Sequence, residues 1–202
     1  FSTYLLLLVF FLFAQSIVAQ QRFKAGLVLG LNASQIRGDE FAGYKKLGVH
    51  GGLRATAMLN EKMDLVIEML YSQRGSFQSL PQSPAGDMKI NLQYAEVPIM
   101  VSYKDWYKED EEYYKVQAVG GFSYGRLLEA SAIGSFHDTE VENFNSNDIS
   151  LTLGADVFLT KHIAVGGRWT RSVNLLFNNK KHNPNLDALL GYFLSFRGMY
   201  VF

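Results

Sequence analysis

The sequence has no cysteine, which excludes a disulfide framework and any thiolate-based metal or redox site. Neither sign of charge is in excess: 19 basic residues stand against 19 acidic ones, whereas a nucleic-acid binder carries a basic surplus. Proline is scarce, at 4, so few segments are barred from pairing as strands. Beyond the first twenty residues there is no apolar run of about 18 residues, so no transmembrane helix is expected. Length allows one β-barrel and is short for two ordinary domains.

What is present is glycine (18), a 14% share of aromatics, and apolar residues set two apart. "FKAGLVLGLNAS" places Phe23, Ala25, Leu27, Leu29 and Leu31 on one face and Lys24, Gly26, Val28, Gly30 and Asn32 on the other. A period of two is the mark of a strand with two different faces. The same alternation recurs in "LGVHGGLRATAML", "DLVIEMLYSQRGSF", "INLQYAEVPIMVSY", "YYKVQAVGGFSYG", "ISLTLGADVFL", "HIAVGGRWTRSVNLLF" and the final "LDALLGYFLSFRGMYVF". In the fourth segment the apolar set runs Ile90, Leu92, Tyr94 and then Val97, Ile99, Val101, Tyr103. That change of parity near Ala95–Glu96, beside Pro98, predicts a β-bulge.

Short connections fall at Asn60–Lys62 and Thr160–His162, and a charged intermediate one at "KDWYKEDEEY". Longer polar connections fall near 36–46, 78–88, 130–147 and 178–186. The pattern predicts an all-β chain: an eight-stranded antiparallel up-and-down transmembrane β-barrel with short periplasmic turns and longer extracellular loops. The opening "YLLLLVFFLF" has the length of a signal-peptide core, and Ala19 is placed for cleavage, but the basic segment and initiator Met are missing. Residues 1–19 are therefore expected to be an N-terminally incomplete signal peptide, and 20–202 a single barrel domain in the bacterial outer membrane.

A soluble ligand-binding barrel also alternates, so the second face decides. It combines glycines (Gly26, Gly30, Gly48, Gly52, Gly121, Gly125, Gly154, Gly166) with Lys24, Arg54, Glu68, Arg74, Glu96, Lys115, Asp156, Arg168 and Arg197. Glycines weaken an exposed strand but make room in a narrow lumen. These nine charges are read as a lumen network, either a salt-bridged plug or the lining of a pore. Tyr103, Trp106, Tyr107, Tyr113, Tyr114 and Tyr200 are expected at the periplasmic rim as an interfacial girdle.

Several stretches resemble the PorT-type outer-membrane β-barrel family of Bacteroidota: "AGLVLGLNAS", "EMLYSQRGS", "LQYAEVPIMVSY" with Tyr94, Glu96 and Pro98, and "GYFLSFRGMYVF". The resemblance covers about Gln20 to Phe202. It implies the eight-stranded barrel, and it implies that Tyr200 and Phe202 resemble the terminal signal read by the barrel-assembly machinery. The founding member is linked to type IX secretion, so the resemblance raises an accessory role in an envelope machine.

Chemistry-bearing residues are few. His50 lies on the lumen face near Glu68 and Ser72, which would allow a Ser–His–Glu hydrolase acting on lipid, although no spacing rule supports one. His137 and Asp138 near Glu140 and Glu142 read as an acidic loop rather than a metal site. His162 and His182 read as solvated, and "KEDEE" (Lys108–Glu112) as a solvated turn that could dock a periplasmic partner. Glycine pairs such as Gly120–Gly121 precede no helix and are not phosphate loops. The expectation is a non-enzymatic barrel with a structural or interaction role. It has no cofactor or metal, and its partners are outer-membrane lipid, the assembly machinery and envelope proteins. A small pore or ligand-binding barrel is the alternative, and a lipid-modifying enzyme stands behind it.

Overall fold

The computed structural model describes residues 22–37, 46–78, 88–133, 145–174 and 190–202. The expected signal peptide, Leu175 and Phe177, and the loop residues His137, Asp138, Glu140, Glu142 and His182 lie outside these residues. Eight strands form in chain order: β1 (Phe23–Arg37), β2 (Lys46–Met58), β3 (Met63–Gln78), β4 (Met88–Lys108), β5 (Tyr113–Ile133), β6 (Asn147–Phe158), β7 (Ile163–Ser172) and β8 (Leu190–Val201). Each pairs antiparallel with the next, and β8 pairs with β1, from Gly26 opposite Val201 to Arg37 opposite Leu190. The sheet is a closed barrel, which leaves no edge and so satisfies the backbone without solvent.

The tight turns at 59–62, 109–112 and 159–162 lie at one end with Arg22 and Phe202. We call this the turn end, and the opposite end the loop end. The outer face is apolar: Leu29, Leu47, Met69, Phe122 and Phe196 are each more than half exposed. A water-soluble barrel does not maintain such a continuous apolar belt. Tyr103, Trp106, Tyr107 and Tyr200 are exposed at the turn end, as expected of a girdle. Tyr113 is a correction to that expectation. It is buried, and its hydroxyl donates to the Leu159 carbonyl at 3.3 Å. A second aromatic set, Tyr71, Tyr124, Trp169 and Tyr192, lies on the outward parity toward the loop end. From Tyr192 to Tyr200 is eight residues, or about 20 Å of height at a strand rise of about 3.3 Å and a tilt of about 40°. That is close to the ~25 Å apolar band of outer-membrane barrels.

The expected bulge in β4 is also corrected. In β4 the even residues stay inward from Ile90 through Lys104, with no change of parity. The register shift lies between β4 and β5, where Gln93 faces Glu129 but Tyr94 faces Leu127. The extra residue is Leu128 of the partner strand. Ile90, Leu92 and Tyr94 look like a change of face in the sequence because they are apolar residues turned into the lumen, where they are almost fully buried.

At the loop end β3 leaves β2 and leans toward β1. The β2–β3 pairing stops at His50 opposite Ser72. Beyond it, the Asn32 amide donates to Ser72 Oγ and to the Gln73 carbonyl, both at 3.0 Å, and the Gly75 N–H donates to Ser34 Oγ at 3.0 Å. Two glycines permit the crossing. A Cβ on Gly48 would lie 2.3 Å from the Gln73 carbonyl oxygen, and Gly75 has φ +146°, which L side chains rarely adopt.

Candidate functional site

The inward residues of all eight strands meet in a narrow lumen, which side chains fill through its middle and toward the loop end, as the width of an eight-stranded barrel dictates. Among the described residues, five buried cations (Arg54, Arg74, Lys104, Arg168, Arg197) face five buried carboxylates (Asp64, Glu68, Glu96, Asp148, Asp156). The register explains some of the contacts. Arg54 is directly opposite Glu68 on β3, and their side chains are 3.5 Å apart. Others cross the barrel. Arg54 also reaches Asp156 at 3.2 Å, and Arg197 donates from Nη1 to both Glu68 oxygens at 2.8 and 2.7 Å. Arg168 grips Asp156 with two bonds of 2.6 Å and donates to the Ala155 and Gly167 carbonyls. Two-pronged Arg–carboxylate pairs are among the stronger charged hydrogen bonds.

A second cluster lies toward the loop end. Arg74 pairs with Glu96 at 2.6 Å and Asp148 at 2.8 Å, while Ser123 donates to Glu96 and Ser150 to Asp148. The Arg74 guanidinium lies between two rings, 4.1 Å from the centroid of Phe193 and 4.8 Å from that of Tyr94. An apolar layer of Ile90, Leu92, Tyr94 and Phe193, all buried, accompanies the ion cluster. Toward the turn end, Lys104 and Asp64 form a third pair at 2.7 Å.

Of the nine charges read from the sequence, seven join these clusters: Arg54, Glu68, Arg74, Glu96, Asp156, Arg168 and Arg197. The other two do not. Lys24 is exposed at the mouth of the turn end. Lys115 is half-buried, with its ammonium 4.7 Å from the Trp106 ring centroid. Trp106 takes a left-handed conformation (φ 58°), and its ring is exposed. Sequence reasoning missed Asp64, Lys104 and Asp148 as members of the network. Each sits on the inward parity, which was the available signal.

The hydrolase arrangement around His50 is not assembled. His50 is directly opposite Ser72, yet neither ring nitrogen has a hydrogen-bond partner. The Ser72 hydroxyl instead accepts from Asn32 and Arg74, and Glu68 is committed to Arg54 and Arg197. The adjoining void is about 10 Å³, roughly the room for a single water. A much larger cavity, about 770 Å³, opens at the turn end, with Arg54, Asp64 and Lys104 in its lining. Among the described residues no group of three or more His, Asp or Glu could hold a metal ion. At the end of β8, the Phe202 N–H donates to the Ala25 carbonyl, and the Tyr200 and Phe202 rings meet edge to face at 5.5 Å.

No curated protein matches the sequence. Among solved structures, the attachment invasion locus protein Ail of Yersinia pestis, in complex with the heparin analogue sucrose octasulfate, is similar at 11% identity and TM-score 0.49, covering 90% of this chain and 99% of that one. Neisserial surface protein A is similar at 10% identity and TM-score 0.47, covering 88% and 96%. The E. coli outer membrane protein W is similar at 13% identity and TM-score 0.38, covering 88% and 98%. These likenesses are distant, and the family assignment does not rest on them. The family model described as an outer membrane protein beta-barrel domain matches residues 13–178, most of the chain. With a closed eight-stranded barrel, an apolar outer belt and a charged lumen, the chain belongs to that family and is a transmembrane β-barrel protein of the bacterial outer membrane.

Proposed function

We propose that this protein is a non-enzymatic, non-conducting barrel with an interaction role, an anchor that presents its loop end to other envelope components. The observation that carries the reading is the filling of the lumen from its central charge network toward the loop end. Five cations and five carboxylates neutralise one another, and the layer of Ile90, Leu92, Tyr94 and Phe193 lies with them. A pore would leave some of those charges hydrated, and an enzyme would need a reachable nucleophile or base. Connecting loops on rigid scaffolds commonly carry function. The resemblance to PorT-type barrels of Bacteroidota gives the partner class: components of an envelope machine such as type IX secretion, with the assembly machinery reading the β8 end at Tyr200 and Phe202.

The test is a tagged pull-down from native outer membranes in mild detergent, with mass spectrometry of the captured proteins. Stoichiometric recovery of secretion or surface-assembly components is expected. A solitary barrel would count against the reading. A small pore or ligand-binding barrel is favoured by one specific feature, the 770 Å³ cavity that reaches Arg54 from the turn end. Stepwise conductance of the wild-type protein in a planar bilayer would establish the pore in place of the first reading.

A further inference from the structure

The same cavity has a chemistry of its own. Its volume of about 770 Å³ falls within the range of small-molecule sites, about 300–1,000 Å³. The floor and wall charges are already engaged: Arg54 with Glu68 and Asp156, and Lys104 with Asp64. The rim charges are not. Arg22 and Lys24 at the start of β1 and Lys161 in the β6–β7 turn line the opening. Among the described residues no carboxylate forms an ion pair with any of these three side chains.

The three are gathered on one arc by the backbone. The Val201 N–H donates to the His162 carbonyl and the Phe202 N–H to the Ala25 carbonyl, which sets the β6–β7 turn, β8 and β1 side by side. His162 is held there by its Nδ1 contact to the Val201 carbonyl at 2.8 Å. The β2–β3 and β4–β5 turns contribute the opposite sign, Glu61 and Glu112. Apolar and aromatic side chains, Met58, Tyr113, Phe158 and Val201, also line the cavity.

We propose that this vestibule binds a short zwitterionic peptide from the periplasm, its carboxylate on the Arg22–Lys24–Lys161 arc and its ammonium toward Glu61 and Glu112. A compact polyanion would meet the two glutamates as well as the cations. A neutral ligand would leave both arcs unmatched, and charge complementarity is what orients a ligand at such a mouth. The apolar part of the lining suits the intervening backbone and small side chains. The side facing the periplasm follows from the short turns, which lie there in outer-membrane barrels. The inference does not depend on the interaction role proposed for the loop end.

The test uses the full folded barrel in detergent micelles, titrated with trialanine bearing free ends and followed by backbone amide chemical shifts. Saturable shifts are expected in the first residues of β1 and in the turn at 159–162. Acetylated, amidated trialanine should give none. The exposed-rim variant K24E/K161E should raise the midpoint at least tenfold, and E61K/E112K should also weaken binding. Overturning results are an absence of saturable shifts, equal binding of the blocked peptide, or an unchanged midpoint in both variants. Inorganic phosphate reproducing the same shifts at the same midpoint would likewise overturn it, as a simple anion site.

Discussion

Glu68 is the residue on which the central network turns. It is fully buried and accepts from Arg197 and Arg54. Removing one partner of a buried ion pair costs about 3–5 kcal/mol, because the other charge is left uncompensated. Glu68→Ala should therefore lower the unfolding free energy by about that amount in urea titrations of the barrel in lipid vesicles. Lys24→Ala, at an exposed position outside the network, should stay within about 0.5 kcal/mol of wild type in the same titration. The inward position of Glu68 and its charged neighbours was legible from alternation alone. Their pairing was not, because Arg197 and Glu68 are 129 residues apart and Arg54 and Asp156 are 102 apart. Such distances along the chain become contacts only once the sheet closes.

At the scale of the element, the behaviour of β3 depends on two glycines. Gly75→Ala forces a side chain into φ +146° and should cost about 1–3 kcal/mol. Gly48→Val places its Cβ against the Gln73 carbonyl, so it should separate β3 from β1 at the loop end. Loss of protection at the Gly75 amide in hydrogen–deuterium exchange would report that separation. The bulge at Leu128 makes a different prediction. Deleting Leu128 should close the bulge and leave Glu129 opposite Gln93, with the faces of the rest of β5 unchanged. A cysteine introduced at Glu129, exposed in this structure, should therefore keep its reaction with a water-soluble maleimide, and loss of that reaction would mean that the bulge itself sets the faces of the strand end. The sequence signalled an irregularity in this region but placed it on β4. The apolar residues Ile90, Leu92 and Tyr94 mimicked a change of parity because they fill the lumen.

For the molecule as a whole, the balance of charge in the lumen decides permeability. The wild-type protein should show no conductance steps above background in a planar bilayer. Arg54→Ala combined with Arg168→Ala removes two cations and leaves Glu68 and Asp156 in excess. Any pathway opened by that pair should favour cations over anions, which reversal potentials in a salt gradient would measure. Silence in both proteins would mean that the loop-end layer seals the barrel independently of the central network.

Eight segments alternating with a period of two, and a second face of glycines and charges, were enough to predict an eight-stranded barrel with an apolar outside and a charged inside. These properties follow from local backbone geometry, which sends successive side chains to opposite faces whatever the rest of the chain does. Tertiary structure alone decided which charges meet, that Lys24 and Lys115 stand outside the network, and that Tyr113 turns inward. It also decided that β3 leans over the lumen and that a cavity remains at the turn end. Each of those depends on closure, which fixes the relative height of strands far apart in sequence and so selects which inward side chains share a layer.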